Sequence, residues 1–237
     1  MKLIPDSYQE LDNIIQAASA AEAKCMCFLS PDGGEGVSSL TMSVAARLHK
    51  TSNRVLVLDL NQFHPMSKQL PAIGEHSATW RFDTISSQLN ISEHSGVHFL
   101  SVTELDDKDV ARDPKVVREA FKRWQQEFDV ILVDLSPLLR VNQHNIPSRV
   151  FAEASDINIL VAAAGSTTEE ALVSANQRLV EEGFKNVNIV LSQTALPPLG
   201  PKLLAKVDAL SVIPSKLKVM LKNTIVRQAW LFRPIGV

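Results

Sequence analysis

Two short runs, "RVLVLD" from residue 54 and "DVILVD" from residue 129, are apolar at every position between their polar ends, and "INILVAAA" from residue 157 is nearly so. A strand turns alternate side chains to opposite faces, so a run with no polar face must be covered on both sides. That excludes a sheet with one wet face and calls for helices above and below a parallel sheet. The same reading places strands at Cys25–Ser30, Arg54–Asp59, Val97–Val102, Asp129–Asp134, Asp156–Ala162 and Val187–Ser192. Helical periodicity falls between them, over Ser38–Lys50, Pro114–Glu127 and Thr168–Gly183. The first of these helices has its apolar face at Leu40, Val44, Ala45 and Leu48, and the second has Asp113 at the N-cap with Pro114 at the first helical position. Strand and helix in alternation predict an α/β fold, a doubly wound, mostly parallel sheet flanked by helices.

At 237 residues the chain fits a single domain. Within 1–237 the expected parts are an N-terminal helix in 1–22, an irregular insertion at 71–95 and a C-terminal helix at 214–232. "TALPPLGPKLL" reads as a proline-punctuated connection, leading to a short last strand near Leu210–Ile213. A net charge of −2 and only 5% aromatic residues argue against nucleic acid as a partner. The two cysteines, Cys25 and Cys27, have no companion cluster and read as small buried hydrophobes in a reducing compartment. His94 and His98 are four apart, but Gly96 between them and the expected strand disfavour a metal pair. The opening residues turn polar where a signal peptide needs an apolar core, and no apolar run is long enough to span a bilayer. The expectation is a soluble, cytoplasmic protein.

The stretch "CFLSPDGGEGVSSLTMSVAARL", residues 27 to 48, ends an apolar run in a glycine-rich turn that opens directly into a helix. Such a turn can wrap an anion in backbone N–H groups at a helix N-terminus. The phosphate-binding pattern G-x-x-x-x-G-K-[ST] adds a lysine for the β- and γ-phosphates and a hydroxyl for magnesium. Aligned on Gly36, the first glycine is Pro31, the lysine is Val37, and the hydroxyl survives as Ser38. Gly33, Gly34, Gly36, Val37, Ser38 and Ser39 are therefore the candidate phosphate-loop residues. Ser38, Asp59 and Asp134 are the candidate magnesium ligands if a nucleotide binds. The plainer reading stands beside it with equal weight: glycines kept for a tight turn, a helix-start serine, and aspartates at strand ends.

In order and spacing these motifs resemble the MinD/ParA-type ATPases, and more narrowly the bacterial tyrosine kinases (BY-kinases) of capsule and exopolysaccharide synthesis. "GGEGVS" is similar to that family's "PGEGKS". "VLVLDLNQFHP" stands where the family has a D-x-D and a proline, with Asn61 at the second aspartate and Pro65 at the proline. "FDVILVDLSP" stands where it has "FDVIIIDTPP", making Asp134 the counterpart of the magnesium-associated aspartate. Ser192 and Gln193 fall where the family usually carries an asparagine near the base, which makes Gln193 a candidate base contact. At the N-terminus Asp6, Gln9 and Asp12 occupy the places of an E-x-x-R-x-x-R assembly motif.

The departures share a direction. The lysine is Val37, the additional lysine of the MinD/ParA type is Asp32, and the tyrosine-rich tail is absent, Tyr8 being the sole tyrosine. A charge-assisted hydrogen bond is worth about 1.5–3 kcal/mol, so its loss weakens nucleotide binding by roughly ten- to a hundredfold or more. Phosphoryl transfer, which depends on neutralising developing charge, suffers further. The expectation is a catalytically degenerate, kinase-like protein, with no tightly held cofactor and weak ATP or ADP binding with Mg²⁺ left open. The resemblance implies a regulatory or scaffolding role in polysaccharide synthesis or export. The implied partners are an inner-membrane chain-length or export protein, a kinase homologue, or further copies of the chain, at the inner face of the cytoplasmic membrane. Two alternatives are an active ATPase or tyrosine kinase, with Arg54, Lys68, Arg140 or an arginine from a neighbouring subunit replacing the lysine and Asp59 and Asp134 catalytic, and a MinD/ParA-like positioning ATPase. The last would use the basic segment "SKLKVMLKNTIVRQAWLFR", otherwise read as a helix packed on the sheet.

Overall fold

The computed structural model describes residues 4, 9–70, 79–85, 91–143, 145–192, 199–209, 214–228 and 231. Seven strands form one sheet: β1 (Cys25–Leu29), β2 (Val55–Leu60), β3 (Ser92–His94), β4 (Val97–Ser101), β5 (Val130–Leu135), β6 (Ile157–Ala163) and β7 (Val187–Ser192). Their spatial order is β3-β4-β2-β5-β1-β6-β7, and every pair is parallel except β3 with β4. The helices are α1 (Gln9–Ala20), α2 (Val37–Lys50), the single turn α3 (Met66–Gln69), α4 (Pro114–Trp124), α5 (Glu169–Glu181), α6 (Leu199–Ala209) and α7 (Ser215–Arg227). Six of the strands lie within a residue of their expected positions.

The two-faced burial follows strand periodicity. On β2, Leu56, Leu58 and Leu60 join the core on one side of the sheet with Trp124, Phe151 and Leu179, while Val55 and Val57 join the other with Leu11, Leu40 and Val44. Cys25 and Cys27 face the first core and Met26 and Phe28 the second; both cysteines are fully buried and free, as small apolar side chains. Asp113 caps α4 as expected, its carboxylate accepting the Lys115 N–H at 2.8 Å, and Thr168 caps α5 through the Ala171 N–H at 3.2 Å.

Three expectations need correction. The segment 71–95, expected to be irregular, contains β3, which pairs antiparallel with β4 through a turn of Ser95 (φ 52°) and Gly96 (φ 79°). Both residues in the left-handed region make this a primed two-residue hairpin, too short and too polar to show periodicity. The described part of that segment is also anchored: the Trp80 indole N–H donates to the Ser101 carbonyl at 2.7 Å, and Trp80 packs against Phe82 and Trp124. Second, the proline-punctuated connection contains helix α6. Pro201 is its third residue, where a backbone N–H has no intrahelical partner, so the proline forfeits nothing. Third, the C-terminal helix runs over Ser215–Arg227 and is not laid flat on the sheet; Leu217, Val219 and Met220 are exposed. The strand expected near 210–213 lies outside the described residues. Among the described residues no helix is long and apolar enough to cross a membrane, and no three potential metal-binding side chains cluster.

Candidate functional site

The glycine-rich turn joins the C-terminal end of β1 to α2. It is held from the side by the segment after β5: the N–H groups of Leu138 and Leu139 donate to the carbonyls of Ser30 and Pro31, both at 2.9 Å. Gly33 (φ 89°) sits so close to Pro137 that an added Cβ would lie 2.8 Å from its Cγ. Gly36 is the N-cap of α2 at φ 93° and offers no side chain, so the first-turn N–H groups, Val37, Ser38 and Ser39 among them, have no side-chain cap. The anion-binding half of a phosphate loop is thus built by the backbone.

Beside it lie two buried carboxylates. Asp59 on β2 and Asp134 on β5 are register partners on adjacent strands, both with no exposed surface. Ser38 Oγ donates to Asp134 Oδ2 at 2.5 Å, tying the start of α2 to β5. Asp59 Oδ2 accepts from the Ser67 N–H at 3.3 Å and from Ser101 Oγ at 3.1 Å. The other oxygen of each, Asp59 Oδ1 and Asp134 Oδ1, is buried without a hydrogen-bond partner. Burial pushes the Asp59 carboxyl up to about 6 against the pull of those hydrogen bonds. Asp134 is raised well above the usual carboxylate range, by burial first and then by Asp59, with the Ser38 hydroxyl opposing.

Nothing local in the sequence marks Ser67 or Ser101. Ser101 is the β4 register partner of Asp59, so one level of the sheet reads Ser101, Asp59, Asp134, Phe28 across β4, β2, β5 and β1. Thr103 completes the hydroxyl cluster, 3.0 Å from Ser101 Oγ and 3.1 Å from Ser67 Oγ. Only the strand order brings these residues together. Asn61, at the place of the second aspartate, uses its side-chain oxygen locally, accepting the N–H groups of Phe63 at 3.2 Å and His64 at 3.1 Å.

Val37, the residue at the lysine's position, turns inward: its side chain is buried in the same apolar cluster as Leu11, Phe28, Leu40 and Val44. Glu35 is buried as well; one carboxylate oxygen accepts the Asp32 N–H at 3.0 Å and the other has no partner. Of the three proposed replacement cations, Arg54 is at the wrong end. It precedes β2, its backbone N–H bonded to Asp129 at 2.8 Å and its guanidinium 5.4 Å from the Phe128 ring centre. Five residue steps along the strand, roughly 16 Å, separate it from Asp59. Lys68 in α3 and Arg140 after β5 are exposed and on the loop's side of the sheet. Gln193 lies outside the described residues, as do Asp6 and Tyr8. Asp12 forms an ion pair at 2.9 Å with Arg47 of α2.

These residues fit the two parts of a magnesium nucleotide unequally. Two orphaned carboxylate oxygens and the Ser38 hydroxyl are hard oxygen donors suited to Mg²⁺. A triphosphate would meet backbone N–H groups at the start of α2, with the apolar Val37 where the pattern carries a lysine and three buried carboxylates, Asp59, Asp134 and Glu35, at the same end of the sheet.

No family model and no curated protein sequence matches the chain. Solved structures do. The kinase domain of Escherichia coli tyrosine kinase ETK superposes with a TM-score of 0.63 at 16% identity, over 81% of this chain and 80% of that one. A ParA family ATPase from Chlorobium tepidum TLS gives 0.55 at 18% identity, over 84% and 81%. Cobyrinic acid a,c-diamide synthase from Mycobacterium smegmatis, solved with an ATP analogue and magnesium, gives 0.55 at 11% identity, over 86% and 93%. The chain has the P-loop fold shared by BY-kinase domains and ParA-type ATPases.

Proposed function

We propose that this chain is a kinase-like P-loop protein that works by binding and not by phosphoryl transfer, as a regulatory or scaffolding component of bacterial capsule or exopolysaccharide synthesis or export. The observation that carries the reading is Val37: the position that must present a cation to a triphosphate is folded into the core. Catalysis of phosphoryl transfer is positioning plus charge neutralisation, and neither Ser38 nor the two aspartates supplies positive charge. The polysaccharide context rests on the likeness to tyrosine kinase domains such as that of ETK, together with the motif order. Its partners on this reading are an inner-membrane chain-length or export protein, or a kinase homologue, met at the cytoplasmic face of the membrane.

Titration of the full chain with a fluorescent ATP analogue, with and without Mg²⁺, tests the proposal. The expected result is no saturable binding in the micromolar range and no phosphate release. Micromolar binding with turnover that vanishes in Asp134→Ala overturns it in favour of an active enzyme, for which Lys68 and Arg140 are the cations on the correct side of the sheet.

A further inference from the structure

A cleft of about 550 Å³ opens between α5 and the segment that leaves β5, large enough to hold a small molecule. Leu139 and Arg149 line one side, Arg149 coming from the short 3-10 turn Ser148–Phe151 further along that segment. Ser174, Gln177, Arg178 and Glu181 line the other, three and four apart and so on one face of α5. None of these residues belongs to the phosphate loop or to the hydroxyl cluster round Asp59.

One wall of the cleft is fixed by its own hydrogen bonds. Glu182 accepts the Ser148 hydroxyl on one oxygen at 2.5 Å and Arg178 Nε on the other at 2.9 Å. Arg178 Nη1 donates to the Leu138 carbonyl at 2.7 Å. The carboxylate is thereby engaged on both oxygens, and the guanidinium is held through two of its three nitrogens. The third, Arg178 Nη2, makes no hydrogen bond among the described residues. The Arg149 side chain is exposed and also makes no hydrogen bond or ion pair among them. Leu139 adds an apolar surface, 36% exposed. Glu181 accepts from the Gln177 amide at 3.0 Å and forms no ion pair among the described residues.

We propose that the cleft binds a small molecule by a single phosphate or carboxylate group, seated between Arg178 Nη2 and Arg149, with an apolar body against Leu139. A guanidinium offers paired N–H donors that match the oxygens of either group, and one already held in place loses little freedom on binding. Ser174 Oγ and the Gln177 amide supply neutral donors from the same helix face. The formal charges, Arg149 and Arg178 against Glu181 and Glu182, sum to zero, so the pull on an anion is short-ranged and directional. Glu181 sets the limit: it repels a second negative group, which favours a ligand with one anionic end over a triphosphate. The segment that supplies Leu139 also props the glycine-rich turn through the Leu138 and Leu139 N–H groups. An anion at that turn is therefore the rival the test must separate.

Isothermal titration calorimetry of the full-length chain with phenyl phosphate, phenylacetate and the neutral benzyl alcohol is the test. At least one of the two anions is expected to bind with submillimolar affinity, and benzyl alcohol roughly tenfold more weakly or not at all. Binding of phenyl phosphate alone marks a phosphorylated ligand, of phenylacetate alone an organic acid, and of both a site that reads the charge; each supports the proposal. Arg149→Gln and Ser174→Glu change exposed side chains and are expected to weaken binding roughly tenfold or more without moving the melting temperature. Arg178→Lys keeps a positive charge beside Glu182 but loses the fork, and is expected to weaken binding likewise. The proposal is overturned if neither anion binds at millimolar concentration, or if benzyl alcohol binds as tightly as they do. It is also overturned if Arg149→Gln and Ser174→Glu leave the affinity unchanged, which moves the anion to the glycine-rich turn, or if Arg178→Lys alters neither affinity nor stability.

Discussion

Asp59 and Asp134 stand side by side in register on β2 and β5, with no described cation between them. Each has a raised folded-state pKa, Asp59 to about 6 and Asp134 well above the usual carboxylate range, both chiefly through burial. The folded protein therefore holds protons that the unfolded chain has already released. Below the unfolded carboxylate range the pair costs nothing; as pH rises through the folded values, stability falls. For Asp59 the loss is about 3 kcal/mol. Asp59→Asn is expected to raise the melting temperature at pH near 7.5 and to flatten its decline between about pH 4.5 and 7.5. Thermal unfolding across that range checks it, and a variant less stable than wild type at neutral pH refutes it.

Val37→Lys places an amine at the start of α2, where the surroundings are apolar. Without nucleotide the variant is expected to lose about 1–3 kcal/mol, the cost of a buried polar group without a partner. With Mg²⁺ and an ATP analogue it is expected to bind at least tenfold more tightly than the wild type, the added amine meeting the phosphates that the backbone alone holds weakly. Thermal shift with and without ligand reads both effects. A lysine variant that binds no better than wild type shows that more than this side chain separates the loop from a working one.

Gly33 and Gly34 share a left-handed backbone but not their surroundings. A Cβ on Gly33 meets Pro137 Cγ at 2.8 Å, whereas one on Gly34 meets nothing within 4 Å. Gly34→Ala is expected to cost about 1 kcal/mol, from backbone strain alone. Gly33→Ala adds a clash with a stiff ring and is expected to cost roughly 1–3 kcal/mol more. Denaturant unfolding of the two variants, side by side, separates the effects.

How much of this was readable in advance depends on how local each feature is. Runs apolar on both faces announced β2, β5 and β6, because the period of a strand is a property of neighbouring residues. The glycine turn, and the two aspartates at strand ends, were legible for the same reason. Arg54 was a plausible cation in the sequence because a string of letters does not say which end of a strand faces the loop; the fold puts it at the far end. Ser101 could not be tied to Asp59 without knowing that β4 lies beside β2, 42 residues separating the two side chains in the chain. Pro201 reads as a break wherever it falls inside a helix, but it lies in the first turn of α6, where proline is harmless.

Trp80 and Trp124 offer a comparison within one aromatic cluster. The Trp80 indole N–H is bonded to the Ser101 carbonyl at 2.7 Å, while that of Trp124 is buried without a partner. Both substitutions to Phe leave a similar void, but Trp80→Phe also removes one of the two donors on the Ser101 carbonyl, the other being the Glu104 N–H at 3.1 Å. Trp80→Phe is expected to be the more destabilising by about 0.5–1.5 kcal/mol. Equal costs, measured by chemical unfolding, contradict the bonding difference.

The inward turn of Val37 bears on timing. Nucleotide switches change shape as a γ-phosphate arrives and leaves, which gives their partners a clock. On the proposed reading, a chain that grips no triphosphate has no such clock. Its encounters with partners would then follow not the energy charge of the cell but how much of the protein there is and what else competes for the same ground.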